Sequence, residues 1–439
     1  MQYLIICSYY PPDSEISAVR PFMFAKYLSA QGNKVVVLRS GAFLSEPDKE
    51  YESLSNVKVI SYLGSQSDAE QYIRGEYQKP ASVKGSTQKH GRMMAAIRTI
   101  YHFLREPFYA YTRISCAKKN FLLQKKALDA MKEDIDVVVS TYSELENVFA
   151  GKYAANRFHA KWIMDFRDSI VDHINGERYI WNIYAKLIQK RAVSYADLCT
   201  AVSSGLSEEL RKNTEQRIET LYNGFESDEV REKNETNNCK LTFCYTGQIY
   251  GLRLSALEHF VLALKTLLDA EKIRIDDIAF VYAGPNSPTV VDLFAKYNVD
   301  SILDDRGQVP RSEAIRIQND TDVFLVLSWN TKTARGILTG KFYEGIRAGK
   351  PILSIVEGDE PNSELKNLNE QYHYGFCFEA CAKDTSIKDL SDYIFCLYCD
   401  RSEHGTVTYI QNKALEEAFE YKAIVKRLND LALHLCEEE

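Results

Sequence analysis

The chain has 439 residues, enough for two or three domains at roughly 100–200 residues each. Hydrophobic residues make up 45% and charged residues 26% of it. A disordered, collagen-like or low-complexity chain is thereby excluded, since this much apolar surface can offset the conformational entropy of folding. Lys and Arg total 54 against 61 Asp and Glu, a net charge of −7, which argues against a nucleic-acid binder, whose surface must neutralise phosphates.

Strand-like and helix-like runs alternate from the start. Met1-Gln-Tyr-Leu-Ile-Ile-Cys-Ser8 has no basic leader and no small-residue cleavage site, so it reads as a buried strand, with Leu4–Cys7 at its centre, rather than a signal peptide. A turn-rich loop and a periodic helix over Ala18–Ala30 follow, stopped at Gly32-Asn33, and Lys34–Leu38 is the next strand. Strand, helix and strand within about 35 residues predict a βαβ unit and a parallel sheet. Val57–Ile60, Asp136–Ser140, Trp162–Asp165, Leu198–Val202 and Arg217–Leu221 continue the series. One stretch departs from it. Gly64–Gly91 is polar, with Lys79, Lys84, Lys89 and His90, and leads into the basic amphipathic run Arg92–Arg105. Such a helix either lies on an anionic membrane surface or packs on its own domain.

Glu226–Lys240 is rich in Glu, Asn and Lys with almost no apolar residue, and marks a linker. A second series follows: strand Leu241–Tyr245, a helix over Ser255–Ala270, then strands Ile278–Ala283, Ser301–Leu303, Val323–Leu327 and Pro351–Ile355. The expected organisation is therefore a Rossmann-like first half (1–225), a linker (226–240), a Rossmann-like second half (241–410), and a C-terminal helix (411–439) that packs back toward the first half. In doubly wound sheets ligands bind beyond the carboxyl ends of the strands, which makes a cleft between the halves the expected site. The longest apolar runs are strand-sized, well short of the about 20 residues a membrane span needs. Ten cysteines scattered without a secretory signal fit a reducing cytosol. Cys377, Cys381, Cys396 and Cys399 approach zinc-site spacing, but their apolar neighbours favour core thiols.

The loop after the first strand, Ser8–Arg20, carries no G-x-G-x-x-G, which disfavours a dinucleotide cofactor. Ser17 and Arg20 either meet an anionic group at the helix N-terminus or serve as helix cap and surface charge. In the second half, Thr339 and Gly340 open a helix whose free amides suit an anion, Lys341 adds a positive charge, and Glu344 lies one turn on. A carboxylate at that place can accept both hydroxyls of a ribose; the alternative is a surface ion pair of Lys341 with Glu344 worth about 0.3–0.5 kcal/mol. Gly349 ends the helix.

These segments together resemble a GT-B glycosyltransferase, most nearly the glycosyltransferase family 4 enzymes of bacterial surface polysaccharide synthesis. Tyr9-Tyr-Pro-Pro-Asp13 with Arg20, Leu28 and Gly32 resembles the family's opening loop and helix. Trp162-Ile-Met-Asp-Phe-Arg-Asp168 resembles its D-x-R-D motif. Ala196–Ser203, Leu221–Gly224 and Phe243–Tyr250 resemble the end of the first domain and the start of the second, and Gly307–Glu313 and Thr339–Glu344 the donor-binding segments. The resemblance implies a fold of two Rossmann-like domains facing across a cleft, and a nucleotide-sugar co-substrate (a UDP- or GDP-sugar) with no cofactor and no metal. It places Glu344 on the ribose. Arg253 (near Gly247), Lys341 and the amides of Leu338, Thr339 and Gly340 fall on the diphosphate, and Gln308, Val309 and Arg311 in the base-reading loop. Asp165, Arg167 and Asp168 are expected to orient or deprotonate an acceptor hydroxyl, or to form an ion-pair network centred on Arg167. Tyr142 and Glu144, with Ser17 and Arg20, line the acceptor side, and His173 is a weaker candidate. Two departures stand out: Gly336 occupies the place of the first glutamate of E-x7-E, and Gln248 that of an arginine. The expected activity is retaining transfer of a sugar to a growing, lipid-linked glycan, by a cytoplasmic protein in peripheral contact with the inner membrane face. A sugar-nucleotide epimerase, a non-catalytic nucleotide-sugar-binding subunit and an oxidoreductase are the rivals.

Overall fold

The computed structural model describes residues 1–13, 16–41, 54–63, 92–171, 179–212, 214–227 and 240–438, with backbone alone for 92–105. His173, the polar segment 64–91 and most of the expected linker (228–239) lie outside the described residues. The chain forms two compact units, 1–222 with 424–439, and 223–423.

In the first unit seven parallel strands order β3-β2-β1-β4-β5-β6-β7. They are β1 (Gln2–Ile6), β2 (Lys34–Arg39), β3 (Val57–Ser61), β4 (Val137–Tyr142), β5 (Lys161–Phe166), β6 (Leu198–Ala201) and β7 (Ile218–Thr220). β1, β4 and β5 are almost wholly buried, as central parallel strands covered on both faces must be, and this is why they read as unbroken apolar runs. The connecting helices are α1 (Ile16–Ala30), α2 (Arg92–Ala130), α3 (Leu145–Phe158), α4 (Tyr179–Tyr195) and α5 (Ser204–Arg211). α2 runs far beyond the amphipathic stretch that marks its start, with Pro107 inside it. Trp181, fully buried, packs its ring edge-on against Tyr109 at 6.2 Å and joins α4 to α2. No described helix is long and apolar enough to cross a membrane.

In the second unit six parallel strands order β10-β9-β8-β11-β12-β13. They are β8 (Leu241–Thr246), β9 (Ile278–Ala283), β10 (Leu303–Asp305), β11 (Val323–Asn330), β12 (Ile352–Gly358) and β13 (Gly375–Glu379). The strand expected at Ser301–Leu303 starts later, because Asp300–Ile302 closes a 3₁₀ turn that buries Ile302 first. The helices are α6 (Leu252–Asp269), α7 (Ser287–Lys296), α8 (Arg311–Asp320), α9 (Gly340–Ala348), α10 (Glu364–Tyr372), α11 (Ile387–His404) and α12 (Lys413–Phe419). Phe243, Phe260, Phe280 and Phe294 pack in series through its core, edge-on, tilted and then stacked.

The last helix, α13 (Tyr421–Glu437), begins in the second unit and continues into the first. There Asn429 Oδ1 accepts from Tyr3 Oη at 2.7 Å and from Asn33 Nδ2 at 3.2 Å, and Arg427 pairs with Glu219 at 2.9 Å.

Candidate functional site

In the second unit the strand order reverses between β8 and β11, which opens a crevice beyond their carboxyl ends. The loop after β8 is held from three sides. The Gly247 amide donates to Ala283 O at 2.7 Å, and Tyr282 Oη donates to Gly247 O at 3.1 Å. Tyr245 Oη donates to Gln248 O, and the Ile249 amide to Asn286 Oδ1. Gly247 sits at φ +140°, and a Cβ on Gly284 would fall 2.1 Å from Gly247 O, so the close approach of the two loops demands glycine at both places. Arg253, on the first turn of α6, donates to Gln248 O at 3.3 Å and holds its guanidinium 5.2 Å from the ring centres of Tyr250 and Trp329. Trp329 is the last but one residue of β11, so Arg253 reaches from the loop after β8 to β11. Its Nε is shielded from solvent and has no hydrogen-bond partner among the described residues.

On the other side of the crevice α9 begins at Gly340, with Thr339 extended at its N-cap. The Thr339 hydroxyl does not cap the helix; it is buried without a described partner. Leu338 is half-buried just before it, behind Ile337, whose carbonyl accepts from Ser328 Oγ. Lys341 lays its side chain against Gly247, Cε being 3.0 Å from where a Cβ would stand, and donates to both Glu344 oxygens at 2.7 Å. The i, i+3 pair expected as one alternative is thus present, half-buried rather than freely exposed. Glu344 has a further partner that sequence reasoning missed: Gln318 Nε2 donates to Glu344 Oε2 and to Thr246 Oγ1, each at 2.6 Å.

The structure therefore brings together Gly247, Thr339, Gly340, Lys341 and Glu344, with Arg253 across the reversal point. Gln308 is exposed and Val309 half-buried in the loop between β10 and α8, and Arg311 is exposed at the first position of α8. That loop is tied to the same corner by the Gly284 amide, which donates to Gly307 O at 2.8 Å. Gly336 adopts φ +69°, in the left-handed region. A glutamate there would be strained, which is a physical reason for the missing first acidic residue.

In the first unit the reversal lies between β1 and β4. Tyr9 Oη donates to Glu144 Oε1 at 2.9 Å and bridges it. Tyr142 is buried, and burial raises its phenol while Arg113 beside it pulls the other way. Arg113 went unnoticed in the sequence because it lies deep in a long helix. Its guanidinium sits 4.4 Å from the Trp181 ring and donates to Tyr109 Oη at 3.2 Å. Desolvation lowers its pKa, but Tyr142, Tyr109 and Glu144 together outweigh this and leave it raised.

The expectations for Arg20, Asp165 and Arg167 are corrected, as is the cap reading of Ser17. Arg20 and Asp165, read respectively as an anion contact and an acceptor-orienting carboxylate, meet each other instead. Arg20 Nε and Nη2 donate to Asp165 Oδ2 and Oδ1 at 2.9 and 2.7 Å, with both side chains at most 1% exposed. Thr200 Oγ1 donates to the same carboxylate at 2.7 Å, and Arg20 also holds Tyr222 O and Leu221 O at 2.8 and 2.9 Å. Asp165 is thereby a fixed structural anion and not a base within reach of an acceptor. Ser17 lies inside the first turn of α1 and so is not its cap; its carbonyl accepts from Arg167 Nη1 at 3.0 Å. Arg167 is consequently not the centre of a network neutralising both carboxylates.

Asp168 remains solvent-accessible, yet crowding by protein raises its carboxyl above the ordinary 3.8, with Arg167 opposing. Its ionised form therefore costs stability at neutral pH, and the cost vanishes as pH falls through the raised value toward 3.8. Asp168→Asn should be at least as stable as the parent at pH 7.5 by urea unfolding, with the advantage shrinking at pH 4.5. A variant less stable at pH 7.5 would contradict this.

Among the described residues no group of three or more His, Cys, Asp or Glu side chains could hold a metal ion. Cys377 is buried, Cys381 and Cys399 are half-buried and Cys396 is exposed, all as free thiols.

No protein-family model and no curated protein matches the chain. Solved structures do. Sucrose-phosphate synthase of Thermosynechococcus elongatus superposes with a TM-score of 0.63 over 100% of both chains at 13% identity. The lipopolysaccharide outer core galactosyltransferase WaaB gives 0.55 over 99% of both at 13% identity. Anabaena HepE, solved in complex with UDP-glucose, gives 0.53 over 98% of this chain and 99% of its own at 10% identity. The fold is GT-B. In this GT-B chain Arg253, Lys341 and the start of α9 belong to the second unit, while Glu144, Asp168 and Arg113 belong to the first.

Proposed function

We propose that the protein is a glycosyltransferase that moves a sugar from a nucleotide-sugar donor, UDP- or GDP-linked, to a growing glycan. One observation carries this reading: Lys341, on the first turn of α9 and beside Glu344, and Arg253, on the first turn of α6, both reach the loop Gly247-Gln248 that follows β8. Positive charge and helix amides suit a diphosphate, and a carboxylate one turn away suits the ribose diol. The structural neighbours, a synthase, a galactosyltransferase and a protein solved with UDP-glucose, point the same way. As the sugar departs, the leaving diphosphate gains charge, and cations already fixed in place stabilise it without reorganising. Gln308, Val309 and Arg311 read the base. In the first unit, Asp168 and Glu144 orient the acceptor hydroxyl.

On this reading transfer is retaining, and the acceptor is a lipid-linked glycan of a surface polysaccharide, met at the cytoplasmic face of the membrane. Residues 1–225 serve the acceptor and 241–410 the donor. A thermal-shift panel of UDP-, GDP- and ADP-sugars tests the donor site. A ligand at 100 times its Kd should stabilise by about 2.7 kcal/mol. Glu344→Ala should blunt that response and leave the unliganded transition in place. A panel with no response to any nucleotide sugar would refute the proposal.

A further inference from the structure

Gln318 is buried at 2% exposure on α8, with no place on the surface of the crevice. Its amide nevertheless joins three elements. Nε2 donates to Thr246 Oγ1 at the end of β8 and to Glu344 Oε2 on α9, each at 2.6 Å, and Oε1 accepts from Arg347 Nη2. A guanidinium only donates and a carboxylate only accepts, so the amide can be seated in one orientation only. Arg347 is itself buried at 6% exposure and lies one turn beyond Glu344 on α9. Both amide hydrogens and the carbonyl are therefore committed, and the side chain has no freedom to turn.

The hydrogen bonds divide unequally over the Glu344 carboxylate. Oε2 receives Gln318 and Lys341, whereas Oε1 receives Lys341 alone among the described residues. Gln318 thus fixes the plane of the carboxylate and leaves Oε1 as the oxygen with spare accepting capacity. We propose that Gln318 is a positioning residue that presents Glu344 to the ribose of the donor nucleotide, and that it couples the ribose contact to α8, the helix that follows the loop Gln308–Arg311. The inference rests on the reading of Glu344 as the ribose acceptor and adds the residue that makes it selective for ribose over deoxyribose. A held carboxylate discriminates because a substrate lacking the hydroxyl leaves a fixed acceptor unpaired, whereas a loose one turns away to water.

Binding of UDP, GDP and their 2′-deoxy counterparts to the full chain, measured by calorimetry, tests this. For whichever diphosphate binds, the parent should favour the ribose form by about tenfold. Gln318→Met keeps the volume and removes the hydrogen bonds. It should bring that preference below threefold while inorganic pyrophosphate binds as before. Gln318→Glu keeps the acceptor for Arg347 and opposes Glu344 with a like charge. It provides the same readout should the methionine variant not fold, and should lose the preference as well. A folded variant of either kind that retains the parental preference overturns the role of Gln318 alone. A parent with no ribose preference overturns the assignment of Glu344 and the proposal with it.

Discussion

Asp165→Ala should destabilise the protein by about 3–5 kcal/mol, the usual cost of leaving one partner of a buried ion pair uncompensated. Arg20 is 1% exposed, and its guanidinium loses both charge-assisted bonds when the carboxylate is removed. Leu221 O and Tyr222 O also accept from it. Thr200 Oγ1 loses its acceptor as well. Urea unfolding of the two chains gives the difference directly. The paired replacement Arg20→Met with Asp165→Leu should recover most of the loss, since apolar side chains of similar volume commonly replace a buried pair at little cost. A change under 1 kcal/mol for Asp165→Ala would show that the pair does not hold β5 to α1 as described.

Lys341→Met should lower kcat for sugar transfer by about 10²–10³, the range expected when one fixed electrostatic contact to developing charge is removed. The same substitution should move the unfolding midpoint little. Its ion pair with Glu344 is partly exposed, and such pairs contribute on the order of 0.5 kcal/mol. A large kinetic effect on an intact fold separates a role in transfer from a role in stability. Steady-state kinetics with the best donor of the thermal-shift panel supply the measurement, and a kcat within threefold of the parent would remove Lys341 from the mechanism.

The two sheets were legible from sequence because buried parallel strands are short unbroken apolar runs. Ile278–Ala283 was read to its limits, and β4, β5 and β12 were found one to three residues short at their carboxyl ends. In β4 and β12 those ends are where polar residues enter, as at Thr141 and Glu357, so the apolar signal stops before the hydrogen bonding does. The full length of α2 was missed, since Pro107 interrupts the pattern just past its amphipathic start. Lys341 and Glu344 were readable as neighbours because a helix places i and i+3 side by side. The pairing of Arg20 with Asp165 spans 145 residues and that of Gln318 with Glu344 spans 26, and no local pattern reports such distances in sequence. Asp165 and Asp168 stand in one motif and differ only in what the fold puts around them.

The return of α13 to the first unit has a consequence for synthesis. Asn429 supplies the acceptor for Tyr3 and Asn33, four hundred positions upstream. On the ribosome, residues 1–222 must wait for that closing helix until all of 223–423 has emerged, whereas the second unit is one continuous stretch that can mature first. A gene fragment ending near residue 222 will therefore yield an unfinished body, and the same fragment with 424–437 rejoined through a flexible linker is the version to express.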